Sequence, residues 1–566
     1  MLFEEMPLRC PSVSRIEAKI RVLTDYLENA QTKEDAIKAV NKYFKIQNEV
    51  NTDFTIISIN FTLNTQDPKI KKYNDTIDEI SPIVNNYFKK FEEAMVKSKF
   101  RQDLENKFGK LLFVQIENGF KCFDEKIIPL LQEENKLVSD YQALLASAKI
   151  EYKGETLNLS QIGKYMSDKD PEVRVESAKL YYGFLSEHDE EIGTIYDKLV
   201  KLRDKMAKEL GYSNYIEFGY LRLGRVDYNA QMVAGYREQI KRDVVPVVYK
   251  LRKNQAKRLG YKNPIFLDYN LFFEDGNAKP AGDTNYLVDC AQKMYNEMGT
   301  ESGEFFKFMV DNHLMDLDAK AGKAGGGYMT FIPRYKSPFI FANSNGTSSD
   351  VDTLTHEVGH AFQGYLCRNV KIPNYQMPTL EACEIDSMSM EFFAYPWMNL
   401  FFKDGADKYR FAHLDGAISF LPYGAEVDEF QHFVYEHPEL THKERCAKWA
   451  ELEKVYRPWL NFKGFEYLEN GGWWVRQSHI FASPFYYIDY TLAQVLALQF
   501  KCEMDKNRER AWKKYIKLLK MGGKYPFLTL VEKDHLRNPF VDGNVKKVIK
   551  PQVKILNEFE KEFSAK

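Results

Sequence analysis

Ten histidines are spread over 566 residues, and two of them stand four apart beside a glutamate in "DTLTHEVGHAFQG" (352–364). Residues four apart project from one face of an α-helix, so His356 and His360 can offer imidazole nitrogens to one metal ion. Glu357 leans from the flank of that face. From there it can reach a water on the metal without ligating the ion, which is the placement a general base for hydrolysis needs. The opposite face carries Val351, Leu354, Val358, Phe362, Tyr365 and Leu366, enough apolar surface to seat the helix in a core. A histidine pair on its own reads most simply as solvated or core-packed. The glutamate between these two favours a metal site.

A catalytic zinc usually takes a third protein ligand and leaves a fourth position for water. The pattern H-E-x-x-H-x-x-G-x-x-H is excluded, because Gln363 and Leu366 stand where it needs glycine and histidine. A glutamate on a following helix is the alternative. "MPTLEACEIDSMSMEFFAYPW" (377–397) supplies Glu381, Glu384 and Glu391, with Thr379 placed to cap the helix. Asp352, one turn before His356, can accept that ring's other proton, as metal-bound histidines require.

These elements need a scaffold, and most of it reads as helix. "RIEAKIRVLTDYLENAQTKEDAIKAVNKYFKIQNEV" (15–50) and "DPEVRVESAKLYYGFLSEHDEEIGTIYDKLVKLRDKMAKELGY" (170–212) repeat apolar residues at three and four. Asp170 before Pro171 marks one helix start. A soft boundary near 150–168, read as a short hairpin and a helix, divides an N-terminal helical region (1–165) from the remainder (166–566). The exception to the helical character is "KAGKAGGGYMTFIPRYKSPFIFANSNGTSSD" (320–350). Its glycine cluster precedes two extended segments, "GYMTFIP" and "SPFIFANS", and a turn leads into the histidine helix. That layout can lay an open strand edge across a cleft above the helix.

Composition narrows the function classes. A net charge of −2 lacks the basic excess that a nucleic-acid backbone selects. No stretch offers eighteen uninterrupted apolar residues for a membrane span. The first fifteen residues lack the basic start and apolar core of a signal peptide. Seven cysteines without C-x-x-C pairs point to reduced thiols and a cytoplasmic protein.

"HEVGHAFQGYL" followed by "EACEIDSMSMEFF" resembles oligoendopeptidase F and its relatives in the thimet oligopeptidase family of zinc metallopeptidases. The likeness extends over roughly 170–550. In that family the third ligand is the first glutamate of E-x-x-S-x-x-x-E, which here falls on Glu384, Ser387 and Glu391. The resemblance therefore implies zinc on His356, His360 and Glu384, with Glu381 and Glu391 as supporting candidates. "WWVRQSHIFASPFYYIDYTLAQVLALQF" (473–500) is similar to the family's histidine and tyrosine-rich helix start. It implies that His479 and Tyr490 contact the scissile carbonyl oxygen, with Tyr486 and Tyr487 as rivals of Tyr490. The implied fold is mainly α: a two-lobed ellipsoid around a deep channel, with a small β-sheet beside the histidine helix. The implied activity is endopeptidase cleavage of short unstructured oligopeptides by a zinc-bound water, with Glu357 as base. A zinc carboxypeptidase or dipeptidase, or a peptide-binding protein with structural zinc, is the alternative on the same motif.

Overall fold

Ser12, Thr32 and Asp67 each accept a backbone N–H at the head of a helix, opening α1 (Val13–Glu28), α2 (Lys33–Leu63) and α3 (Pro68–Lys97). With the chain to residue 121, these helices enclose a hydrophobic core of their own, in which Tyr43 stacks on Phe91 at 4.4 Å. The molecule is a computed structural model that describes residues 1–565. No helix among the described residues is long and apolar enough to cross a membrane.

The larger core takes in Met6 and, from α2, Ile56 and Ile59, then α4 (Ile128–Ala146) and most of the remaining helices. Next comes the expected hairpin, β1 (Ile150–Tyr152) antiparallel to β2 (Glu155–Leu157). Asp170 then accepts from the Glu172 N–H to start α5 (Pro171–Glu187), and α6 (Asp189–Glu209) and α7 (Tyr215–Arg222) follow.

One buried carboxylate joins three of these helices. Glu134 on α4 accepts from Arg203 Nε on α6 at 2.6 Å and from Arg222 Nη2 on α7 at 2.8 Å. Burial alone would raise the Glu134 pKa, but the guanidinium groups of Arg222 and Arg203 overcome it and hold the carboxyl at about 2. A carboxyl depressed on folding stabilises fully above its unfolded pKa. That contribution, about 3 kcal/mol, is expected to fade as pH falls from about 4.5 toward 2. Glu134→Gln leaves the fully buried Arg203 short of its counter-charge, so we expect a loss of about 3–5 kcal/mol at neutral pH. Denaturant unfolding of both proteins at pH 7 and pH 3 checks this. The difference should shrink at the lower pH.

The two extended segments near 330 pair as expected. β4 (Tyr328–Ile332) lies antiparallel to β5 (Ser337–Ser344), with Tyr328 opposite Phe341 and Ile332 opposite Ser337. A third strand that the sequence pattern did not reveal, β3 (Met315–Asp318), runs parallel on the other side of β5. Four residues, Met315 to Asp318, with aspartate at every second position, are too short a run to register as a strand. β4 is consequently an edge strand. Tyr328 Oη meets Thr62 Oγ1 at 2.6 Å, tying the sheet to α2.

Beyond the sheet, α8 (Ser349–Leu366) follows a turn in which Asp350 accepts from the N–H groups of Asn345 and Gly346. Then come α9 (Leu380–Phe393), α10 (Ala406–Glu436) and α11 (Tyr487–Lys506). α9 packs between α8 and α11, and every residue from Glu381 to Phe393 is buried. Of the carboxyls buried on this helix, Glu384 and Glu391 have hydrogen-bond partners, whereas Asp386 Oδ1 has none and burial raises the Asp386 pKa. Thr379 occupies the cap position of α9, yet its hydroxyl makes no capping hydrogen bond. Tyr375, just upstream, reaches the N-terminal core, where its hydroxyl accepts from the Leu112 N–H at 2.9 Å.

Candidate metal centre and catalytic site

Gly359 lies between the two helices that build the site. A Cβ there would come within 2.6 Å of Ser387 Cα and 2.8 Å of the Asp386 carbonyl oxygen. The absence of a side chain lets α9 approach α8 closely enough for a glutamate to reach the histidines. His356 Nε2 and His360 Nε2 stand 3.2 and 3.4 Å from the same atom, Glu384 Oε2. These three residues form the one group among the described residues whose donor atoms lie within 4.8 Å of each other in metal-binding fashion. Gly359→Ala is expected to force the helices apart, costing about 1–3 kcal/mol of stability and weakening metal retention. Thermal melting and competition with a chelator measure the two effects.

The outer partners are well defined. Ser387 Oγ donates to Glu384 Oε2 at 3.0 Å, and the Tyr486 hydroxyl donates to Glu384 Oε1. His356 Nδ1 donates to Glu391 Oε1 at 2.7 Å, and His413 Nε2 donates to Glu391 Oε2 at 2.7 Å. The Tyr395 hydroxyl meets His413 Nδ1, also at 2.7 Å. Asp352 does not take the role expected for it. It accepts instead from the Tyr409 hydroxyl, and Glu391, 35 residues further along, holds the His356 ring. Helical adjacency placed Asp352 near His356, but a carboxylate on the neighbouring helix lies in line with Nδ1. Glu381 is buried away from the imidazoles. Burial raises its pKa and the Arg225 guanidinium opposes that rise.

Electrostatics favours a cation at this point. Burial alone would raise the pKa of Glu384, yet His360 and His356 outweigh it and hold the carboxyl well below its ordinary range. Glu357, beside them on α8, has its pKa raised by burial, and its Oε2 is buried with no hydrogen-bond partner. Two imidazoles and one carboxylate form a donor set suited to zinc, and the orphaned oxygen beside it marks where a water proton can be received. These residues fit a catalytic metal.

The second segment lies close by. His479 Nε2 is 3.0 Å from the Tyr490 hydroxyl, and His479 Nδ1 accepts from the Gln477 amide at 2.8 Å. Packing among Tyr486, Tyr487 and Tyr490 strips water from the imidazole and lowers its pKa to about 4, so the ring is neutral at neutral pH. The three tyrosines are thereby distinguished. Tyr486 is engaged with Glu384, Tyr487 packs against Phe420 and Tyr423, and Tyr490 alone meets His479 through its hydroxyl. His479, Tyr490, Glu391 and Tyr409 line a cavity of about 660 Å³. At the sheet, a Cβ on Gly327 would come within 3.4 Å of Glu357 Oε1, so the start of β4 adjoins the candidate base. His413, Gln477 and Tyr423 were not singled out from the sequence. Gln477 sits two residues before His479 in a quoted segment, while His413 and Tyr423 belong to α10, which bears no motif.

Comparison with known proteins adds an independent line. Residues 3–123 match the model of the peptidase M3 N-terminal domain, and residues 293–548 match that of peptidase family M3. The chain is 23% identical to an oligoendopeptidase F homolog of Borreliella burgdorferi (strain B31), an alignment covering 92% of this chain and 90% of the relative. It superposes on PZ peptidase A, solved with an inhibitor, at a TM-score of 0.97 and 45% identity, covering 98% of this chain and 99% of the other. A Bacillus anthracis (strain Ames) protein assigned as an oligoendopeptidase F matches at a TM-score of 0.92 and 46% identity, over 99% and 98% of the two chains.

Proposed function

As this chain belongs to peptidase family M3 and is a metallo-endopeptidase, we propose that it is a zinc enzyme hydrolysing internal bonds of short, unstructured oligopeptides. The observation that carries this reading is the convergence of His356, His360 and Glu384 on one point, with the unpartnered Glu357 Oε2 alongside. His356, His360 and Glu384 would hold the ion. Zinc bound there would polarise the scissile carbonyl and lower the pKa of the attacking water toward neutrality. Glu357 removes the proton of that water as attack proceeds and later delivers a proton to the departing amine. Its burial suits both tasks, because desolvation raises the pKa of its carboxyl and so makes it a stronger base toward water. Tyr490, supported by His479, donates a hydrogen bond to the oxyanion that develops on the carbonyl. Glu391 holds the His356 ring in the tautomer that leaves Nε2 free to ligate.

The edge of β4 beside Glu357 can pair with the backbone of an extended peptide, which binds substrates without demanding particular side chains. A peptide blocked at both ends tests the endopeptidase reading against a carboxypeptidase or dipeptidase, since those need a free terminus. We expect cleavage at an internal bond, identified by product mass, while a stably folded globular protein resists. Cleavage only of peptides with free ends, or rapid digestion of the folded protein, would contradict the proposal.

A further inference from the structure

We propose that Gln477 and Tyr423 are positioning residues that fix the tautomer of His479 and so leave Tyr490 free to donate, an inference that rests on Tyr490 acting as the oxyanion donor. The hydrogen bonds leading to Tyr490 have one consistent direction. Tyr423, on α10, has its hydroxyl 2.8 Å from Gln477 Oε1. An amide oxygen can only accept, so Tyr423 donates and the amide nitrogen is the atom left facing His479. That nitrogen meets Nδ1 at 2.8 Å, and an amide nitrogen can only donate. Nδ1 must therefore present a lone pair, which places the single proton of the neutral ring on Nε2. Nε2–H then donates to the Tyr490 oxygen at 3.0 Å. His479 consequently makes no claim on the Tyr490 hydrogen.

The opposite arrangement shows why this matters. With the Gln477 oxygen facing Nδ1, the ring proton would move to Nδ1 and Nε2 would become an acceptor. It would then capture the Tyr490 hydrogen that the reaction needs. In the flipped amide Tyr423 would have to accept from Gln477, whereas the nearby Arg476 and Arg457 guanidinium groups favour its oxygen turned toward them and its hydrogen on Gln477 Oε1. Tyr423 is itself held under the Arg457 guanidinium, 4.8 Å from its ring centre. A hydroxyl on α10 thus sets the polarity of a donor on α11 through two intervening side chains.

Two measurements test this. In the zinc-loaded protein labelled with nitrogen-15 in its histidine rings, His479 is assigned by the signals that vanish in His479→Gln. We expect its Nδ1 to carry no proton and its Nε2 to carry one. A protonated Nδ1 in the wild-type protein would overturn the proposal. The second measurement uses Gln477→Glu at alkaline pH, where the ring holds a single proton. A carboxylate at this position only accepts, so it draws the proton to Nδ1, and kcat should fall about 100-fold with KM little changed, the lower end for losing one oxyanion donor. In a Tyr490→Phe background the same substitution should change kcat by less than about twofold, because the donor it disables is already gone. An equal loss in both backgrounds would mean that Gln477 acts through packing alone, against the proposal. Wild-type kcat in Tyr490→Phe alone would sink the reading of Tyr490, whereas the ring-nitrogen spectrum reports the tautomer independently of it.

Discussion

Glu357→Gln should keep its metal, its fold and its affinity for peptide, and lose about 100- to 10,000-fold in turnover, toward the upper end. The amide matches the carboxylate in shape but cannot accept a proton at neutral pH. Glu357 lies outside the set of His356, His360 and Glu384, so the metal should stay. Its Oε2 makes no hydrogen bond, so no partner on the protein is stranded by the exchange. The loss should be large because the proposed mechanism uses this one residue twice, first as base toward water and then as acid toward the departing amine. Zinc content, peptide affinity and single-turnover cleavage, measured side by side with wild type, check the three parts. A variant that cleaves at the wild-type rate would remove the base from Glu357.

Tyr490→Phe should lower kcat by roughly 100- to 1,000-fold while KM changes little. In the proposed role the hydroxyl acts only once negative charge has developed on the carbonyl oxygen, so its removal should spare ground-state binding. Tyr486→Phe should behave differently. Its hydroxyl donates to Glu384 Oε1, so its loss should loosen the candidate metal site and appear in metal affinity. Steady-state kinetics with chelator titration of both variants separates the two roles. An unchanged kcat in Tyr490→Phe would shift the donor to another tyrosine of the cluster.

Much of this site could be read in the chain before folding was considered, and the limit has a physical cause. His356, Glu357 and His360 lie within five residues, where helix geometry alone sets which side chains share a face. Three glutamates on α9 remained open on spacing alone, and resemblance rather than geometry pointed to Glu384. The fold brings its Oε2 to the two imidazoles because Gly359 allows the helices to close. β4 and β5 were legible from β-branched and aromatic residues between prolines, whereas β3 was too short and too polar. Local spacing puts Asp352 one turn from His356 but says nothing about a carboxylate arriving from another helix. Glu391, His413, Gln477 and Tyr423 act through contacts 35, 22, 2 and 54 residues apart. Three of those four separations are set by tertiary packing, on which periodicity is silent.

The central claim is that His356, His360 and Glu384 together hold one catalytic zinc. Zinc per chain is its most direct measure, taken on protein stripped by chelator, reloaded with zinc and freed of excess. Wild type and Glu357→Gln should each retain one equivalent, and His356→Ala, His360→Ala and Glu384→Ala should each retain close to none while melting as folded proteins. Full zinc occupancy in folded Glu384→Ala would contradict the claim and place the third ligand elsewhere.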